Sequence, residues 1–281
     1  MKLVSFVHAE GAPRVGIVEG DIVLSPAADG WNGAATLGGL LAADEIAAFV
    51  AAARDGDRIA LDQISHLPPV FDPPRIFCIG VNYEEHRVET GRERAKAPMV
   101  FMRVSQSQVG HGVIIEKPAV SDKVDYEGEI AIVIGKGGRN IARDQAMEHV
   151  FGYSAYNDVS VRDWQMHTGQ WTPGKNFDGC GSFGPWLVTA DEMPADRADI
   201  SIETRLNGEV MQQGNGSEMI FSIEEQIEYI STFTALLPGD VIATGTPGGV
   251  GTKRNPQVFM KPGDLVEIEV GGVGILSNRI G

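Results

Sequence analysis

Apolar and polar positions alternate with a period of two near the start of the chain. Residues 2–7, 15–18 and 21–24 therefore read as short strands parted by Gly and Pro turns. The period then changes: Leu37, Leu40, Leu41, Ile46, Phe49 and Val50 recur at near-helical spacing in an Ala-rich stretch closing at Asp55-Gly56, which predicts a helix. Residues 67–74, Leu-Pro-Pro-Val-Phe-Asp-Pro-Pro, can continue neither a helix nor a central strand. A boundary is expected there, with a small α+β domain over residues 1–70 and a larger domain over residues 71–281. In the larger part, runs rich in Val, Ile and Phe at 75–79, 99–104, 129–134, 241–244 and 265–270 read as strands. Helices are predicted at 144–151, stopped by Gly152, and at 222–234, where Ser222 and Glu225 suit a capping box and Ile223, Ile227 and Ile230 share a face. The expected class is mainly β with some α.

Composition narrows the function. With 43% hydrophobic residues over 281 positions, the chain can build a sizeable core. No run approaches the ~18 consecutive apolar residues of a membrane span. The 38 acidic against 23 basic residues, a net charge of −15, would repel nucleic acid and anionic membranes, so neither is an expected partner. An anionic substrate must then meet a local basic patch. His8, Glu10 and Arg14 follow the first strand at once and leave no apolar signal core, and Cys78 and Cys180 lie in apolar or Gly-rich surroundings. A reducing, cytoplasmic address is expected.

The run from Asp125 to Ile134 carries the chemistry. Alternation puts Glu127 and Glu129 on one strand face with Ala131 and Val133 following them inward. Two like charges there mean either a strand end that reaches solvent or a hard divalent cation that neutralises them, and spacing alone leaves both open. Residues 153–157 read as a strand that ends at a third carboxylate, Asp158. Three such oxygens suit Mg²⁺, Mn²⁺ or Ca²⁺, whereas no His or Cys cluster has zinc-like spacing. His86 and Glu89, three apart between Gly80 and Gly91, would share a face of a short helix; they fit a solvated surface pair as readily as an imidazole made basic by its carboxylate. Arg162, Gln165 and Lys175 are candidate donors to a substrate carboxylate. The Gly-rich segment 245–253 is not a phosphate loop, because Lys253 does not directly follow a glycine. His8, His66, His111, His149 and His167 show no partner pattern.

Several motifs stand in a fixed order: Asn-Tyr-x-x-His-x-x-Glu (82–89), Asp-Tyr-Glu-x-Glu (125–129), Asn-Asp-Val-Ser-x-Arg-Asp-x-Gln (157–165), Gly-Lys-x-Phe-Asp (174–178), Gly-Pro-Trp (184–186) and Gly-Thr-Pro-x-Gly-Val-Gly (245–251). Together they resemble the fumarylacetoacetate hydrolase family over roughly residues 70–281, in particular its small bacterial acylpyruvase-like and hydroxyheptadienedioate isomerase-like members. The resemblance implies a mixed β-roll and a homodimer. It also implies a divalent cation, Mg²⁺ or Mn²⁺ with Ca²⁺ acceptable in crystals, held by Glu127, Glu129 and Asp158. It makes the His86–Glu89 segment a lid carrying a catalytic dyad. Arg162, Gln165 and Lys175 fall near the substrate, Lys175 with a catalytic part, and the 245–251 loop presents the Thr246 hydroxyl and backbone N–H groups to a substrate oxygen. Relatives more often carry Lys at the position of Arg103, and Asp178 is expected to pair with Lys175. His167 and Trp171, in the insertion 166–173, are candidate specificity elements.

The implied substrate is a small 2-oxo or 2,4-dioxo acid. In the leading expectation the metal chelates its 2-oxo carboxylate while His86, oriented by Glu89, activates water for C–C hydrolysis of an acylpyruvate or fumarylacetoacetate-like acid. Decarboxylation of oxaloacetate, or isomerisation of a 2-hydroxyhepta-2,4-diene-1,7-dioate, would use the same enolate. A non-catalytic, metal-stabilised β protein is the third alternative.

Overall fold

Short amphipathic runs cannot bury a face alone and must pair side by side. In the computed structural model, which describes every residue except 10 and 28, they join in one twelve-stranded sheet. The chain enters through an antiparallel meander of β1 (Lys2–His8), β2 (Arg14–Glu19) and β3 (Ile22–Ser25). Helices α1 (Leu37–Ala42) and α2 (Ile46–Arg54) follow, then β4 (Asp57–Ala60) beside β3 and β5 (Ile64–His66) beside β1. Next come β6 (Ile76–Gly80), the short helix α3 (Glu84–Thr90), β7 (Met99–Arg103), β8 (Gln108–Val109) and β9 (Val124–Asp125). The long strands β10 (Gly128–Ile134) and β11 (Val150–Asn157) pair antiparallel, and β12 (Ser160–Val161) pairs with β9. Two one-turn helices, α4 (Arg162–Gln165) and α5 (Thr172–Lys175), lead to β13 (Gly181–Thr189). The chain continues through β14 (Ser201–Leu206), β15 (Glu209–Asn215), α6 (Ile223–Phe233) and β16 (Val241–Ala243) to the hairpin of β17 (Leu265–Val270) and β18 (Gly274–Arg279).

The large sheet runs β4-β3-β2-β1-β13-β11-β10-β16-β6-β7, and β15-β14-β17-β18 form a second sheet. The structure is mainly β with a few helices, as expected. The first 70 residues contribute strands to the same sheet as the rest, because β1 pairs directly with β13.

All seven residues of β10 are buried, because both faces of the large sheet are covered. Ile130, Ile132 and Ile134 pack with Ile202, Val266 and Ile268 of the second sheet and with Ile223, Ile227 and Ile230 of α6. Ala131 and Val133 belong instead to the core formed with Leu37, Leu40 and Phe49 of α1 and α2. Period two therefore places Glu129 on the Ala131 face, inside the protein.

Two expectations need correction. The Ala-rich stretch is two helices, broken where Asp44 takes a left-handed φ of 57°. The helix expected at 144–151 is a 3₁₀ segment, Arg143–His149, and Gly152 does not stop it but lies within β11. A Cβ at residue 152 would sit 2.4 Å from the Val188 carbonyl oxygen, so this glycine serves the close approach of β13.

The capping box of α6 is present as read: the Glu225 N–H donates to Ser222 Oγ at 3.4 Å and the Ser222 N–H to Glu225 Oε2 at 2.8 Å. Ser222→Ala should lower unfolding stability by about 1 kcal/mol. Urea titration should show a lower midpoint at unchanged slope; an unchanged midpoint would mean the cap contributes nothing.

Candidate metal centre

Strand pairing brings the three carboxylates together. Glu129 stands opposite Tyr156 in the β10–β11 register, and the Asp158 N–H donates to the Glu127 carbonyl at 2.8 Å just beyond the paired region. The ends of two adjacent strands thus deliver Glu127, Glu129 and Asp158 to one point, with an oxygen of each within 4.8 Å of the others. They are 5%, 2% and 1% exposed, so the solvated-strand alternative does not apply.

Three cations, buried Lys175 and Arg103 and the partly buried Arg162, surround them. Lys175 Nζ donates to Glu127 Oε2 at 2.6 Å, to Asp158 Oδ2 at 2.5 Å and to the Asp158 carbonyl at 3.2 Å. Arg103 Nη1 donates to Asp158 Oδ1 at 2.7 Å, and Arg162 joins Glu127 Oε1 at 2.7 Å to Asp125 Oδ2 at 2.8 Å. Four carboxylates, counting Asp125, thus face three cations, and one negative charge is uncompensated. It falls on Glu129, whose bond in the cluster is from the Gly245 N–H at 2.9 Å. Burial first, and then the charges of Asp158 and Glu127, push the Glu129 carboxyl well above the usual carboxylate range. Burial would raise Glu127 too, but Arg162 and Lys175 outweigh it and hold that group low. An all-oxygen donor set with one negative charge in excess fits a hard divalent cation, and Glu127, Glu129 and Asp158 would hold it.

Beside the cluster lies a cavity of about 260 Å³, lined among others by His86, Arg162, Gln165, Lys175 and Thr246. His86 Nδ1 is 2.6 Å from Glu89 Oε1, so the carboxylate fixes the ring proton on Nδ1 and leaves Nε2 with its lone pair. Arg162 Nη1 also donates to Gln165 Oε1 at 3.1 Å, leaving the Gln165 amide N–H groups for another acceptor, while Arg162 Nη2 is buried with no partner among the described residues. The nine residues read from the sequence as metal-binding, catalytic or substrate-binding therefore share one site.

Three details differ from expectation. The loop after β16 directs its N–H groups to protein carboxylates: Gly245 to Glu129, Gly249 to Glu89 Oε2, and Gly251 and Thr252 to Asp125, each at 2.9 Å. Thr246 lines the cavity, but its hydroxyl donates to the Gly128 carbonyl at 2.8 Å and accepts from Gln212 Nε2 at 2.7 Å. Lys175 does not pair with Asp178, which is exposed; its donors go to Glu127 and Asp158. Of the insertion, Trp171 lines the cavity, whereas the exposed His167 packs on Trp164. Sequence reasoning gave no part to Arg103 or Asp125, although an acid opening the Glu-x-Glu motif was an available signal.

The family model described as fumarylacetoacetate (FAA) hydrolase C-terminal matches residues 75–281. The chain belongs to the fumarylacetoacetate hydrolase family. It is 43% identical over 224 residues, 79% of this chain and 70% of the relative, to the mitochondrial oxaloacetate tautomerase fahd2 of Xenopus laevis. Among solved structures it is similar to a fumarylacetoacetate hydrolase from Exiguobacterium antarcticum, with TM-score 0.86 and 35% identity over 100% of this chain and 99% of that one. It is also similar to maleylpyruvate hydrolase from Sphingobium sp. SYK-6 in complex with manganese(II) and pyruvate, with TM-score 0.78 and 29% identity over 100% and 98% of the two chains.

Glu129→Gln removes the uncompensated charge and one candidate ligand together. The variant without metal should melt higher than the parent without metal and lose the upward shift that Mg²⁺ or Mn²⁺ gives the parent. Differential scanning calorimetry with and without chelator checks both signs, and a variant that keeps the metal-induced shift would remove Glu129 from the ligand set.

Proposed function

We propose that the chain catalyses proton transfer next to the carbonyl of a small 2-oxo acid, interconverting keto and enol forms of an oxaloacetate-type substrate. The observation that carries this reading is a pair of nitrogens on one cavity: the His86 Nε2 lone pair and the unpartnered N–H groups of Arg162 Nη2, beside the three carboxylates. The resemblance to an oxaloacetate tautomerase supports the substrate class.

When bound, a divalent cation at Glu127, Glu129 and Asp158 supplies Lewis-acid polarisation of a 2-oxo carboxylate. Arg162 Nη2 and the Gln165 amide offer hydrogen bonds to the substrate's C1 carboxylate. His86 Nε2 takes the proton from C3. The C–H electrons become the C2–C3 double bond as the carbonyl π pair moves to the 2-oxygen. The imidazolium, stabilised by Glu89, then gives a proton to that oxygen, and the reverse sequence converts enol to keto. Arg162 and Lys175 keep Glu127 ionised, and Lys175 and Arg103 hold the Asp158 carboxylate in position.

Hydrolysis of a 2,4-dioxo acid is the second reading, favoured by the likeness to the maleylpyruvate hydrolase: there the same His86 nitrogen would take its proton from water. Decarboxylation or dienedioate isomerisation would share the charge build-up on the 2-oxygen. A reducing compartment such as the cytoplasm is supported by the free, buried Cys78 and Cys180, and a homodimer has a candidate seam at edge strand β7, where Met102 and neighbouring Val104 are 45% and 48% exposed.

Freshly dissolved enol-oxaloacetate should lose its ultraviolet enol band faster with the metal-loaded protein, and chelator should abolish the acceleration. His86→Asn should lower kcat by on the order of 10²- to 10⁴-fold while keeping the metal-induced thermal shift. A full rate in that variant would remove the dyad, and acid-pair products from an acylpyruvate series, with no effect on enol decay, would replace tautomerisation by hydrolysis.

A further inference from the structure

The cavity has a second cationic end that the metal centre does not use. Arg92 follows helix α3, and its backbone is fixed by the helix end: Gly91 takes a left-handed φ of 69°, the Arg92 N–H donates to the Arg87 carbonyl at 3.2 Å, and Arg87 Nη1 donates to the Arg92 carbonyl at 2.5 Å. Its guanidinium carbon lies 5.1 Å from the centre of a Trp171 ring. Trp171 in turn packs edge-on to Phe101 with centroids 5.3 Å apart, and the Phe101 ring lies 5.1 Å from Lys175 Nζ at the metal end. One wall of the cavity thus runs Lys175, Phe101, Trp171, Arg92. The wall is seated on β6, where Gly80 lets the indole lie close: a Cβ there would be 2.5 Å from Trp171 Cζ3.

Arg92 pairs with no carboxylate within 4.0 Å among the described residues. In a chain of net charge −15, an arginine aimed into a cavity and left without an acid is a place for an anion. The indole face attracts the guanidinium at 5.1 Å, and a guanidinium's planar fork of N–H groups matches a carboxylate. Lys253 lies on the same cavity and adds positive potential near its exposed edge.

We infer that Arg92, stacked on Trp171, receives the second carboxylate of the substrate, so that the site selects 2-oxo dicarboxylic acids over 2-oxo monoacids with apolar tails. This rests on the preceding reading only in that a 2-oxo carboxylate occupies the metal end. Arg92 is then a specificity-determining residue and moves no proton.

Calorimetric titration tests it with 2-hydroxy acids, which keep the chelating end but have no carbonyl to enolise. Magnesium-loaded protein is titrated with malate, 2-hydroxyglutarate and 2-hydroxyheptanedioate, and with the corresponding monoacids 2-hydroxybutyrate, 2-hydroxypentanoate and 2-hydroxyheptanoate. At least one diacid should bind about 10-fold or more tightly than its monoacid, the effect of one charge-assisted contact. Arg92→Met, which keeps the stem over Trp171, should erase that preference and leave monoacid and magnesium binding unchanged. Equal binding of diacid and monoacid at every length, or a preference that survives in Arg92→Met, overturns the assignment. Failure of all six acids to bind removes the chelating end on which it rests. Turnover of oxaloacetate without diacid preference sinks the Arg92 receptor alone, whereas diacid preference without tautomerisation sinks the reaction and leaves the receptor standing.

Discussion

Three carboxylates with oxygens within 4.8 Å of one another and almost no access to water set the terms for the rest of this protein. At that separation each pair of unit charges repels by roughly 3 kcal/mol even at an effective dielectric constant near 20, before any cost of burial. Such a cluster persists only inside a compensating shell. Here the shell is drawn from separate parts of the chain: Arg103 from the end of β7, Arg162 from α4, Lys175 from α5, and backbone amides from the loop after β16. The shell stops one charge short, and that shortfall is what a divalent cation would meet.

The two-layer core makes the shortfall matter. Because α1 and α2 close one face of the large sheet and the second sheet closes the other, the acids at the head of β10 meet solvent only through the cavity. Restricted access to water strengthens the polar interactions there. A buried, unpartnered Arg162 N–H is costly in such surroundings unless a substrate uses it. The second carboxylate receptor at Arg92 lies where the wall becomes half exposed, so an unpaired guanidinium is tolerable there and its contribution is to selectivity more than to rate.

How much of this was legible along the chain follows from the range of each interaction. Glu127 and Glu129 could be placed on one face because a strand repeats every two residues, and His86 and Glu89 could be paired because a helix brings positions three apart together. Asp158 followed from its place at the end of a strand, and the ordered motifs tied these local readings into one family. The amides of Gly245 and Gly249 could not be assigned to protein acceptors from the sequence because those acceptors lie 116 residues away at Glu129 and 160 away at Glu89. Arg103 was likewise unreadable as a partner of Asp158, 55 positions on. Gly152 misled for a related reason: alone it looks like a helix stop, and only the neighbouring strand shows that it makes room for Val188.

The long-range bonds that the sequence concealed also couple the parts of the site. Gly245 and Gly249 belong to one short loop; the first holds Glu129 in the cluster and the second holds Glu89, which orients His86. The positions of the proposed base and of a candidate metal ligand therefore both depend on the same few backbone groups. The relation between His86 and Glu129 thus runs through this loop. Proton abstraction beside a polarised carbonyl depends on that relation and not on the rest of the substrate. This is the physical sense in which one centre can serve tautomerisation, isomerisation or hydrolysis across a family: the carboxylates, the dyad and the loop stay as a unit, and the reaction is chosen by what lies beyond them, along the wall that ends at Trp171 and Arg92.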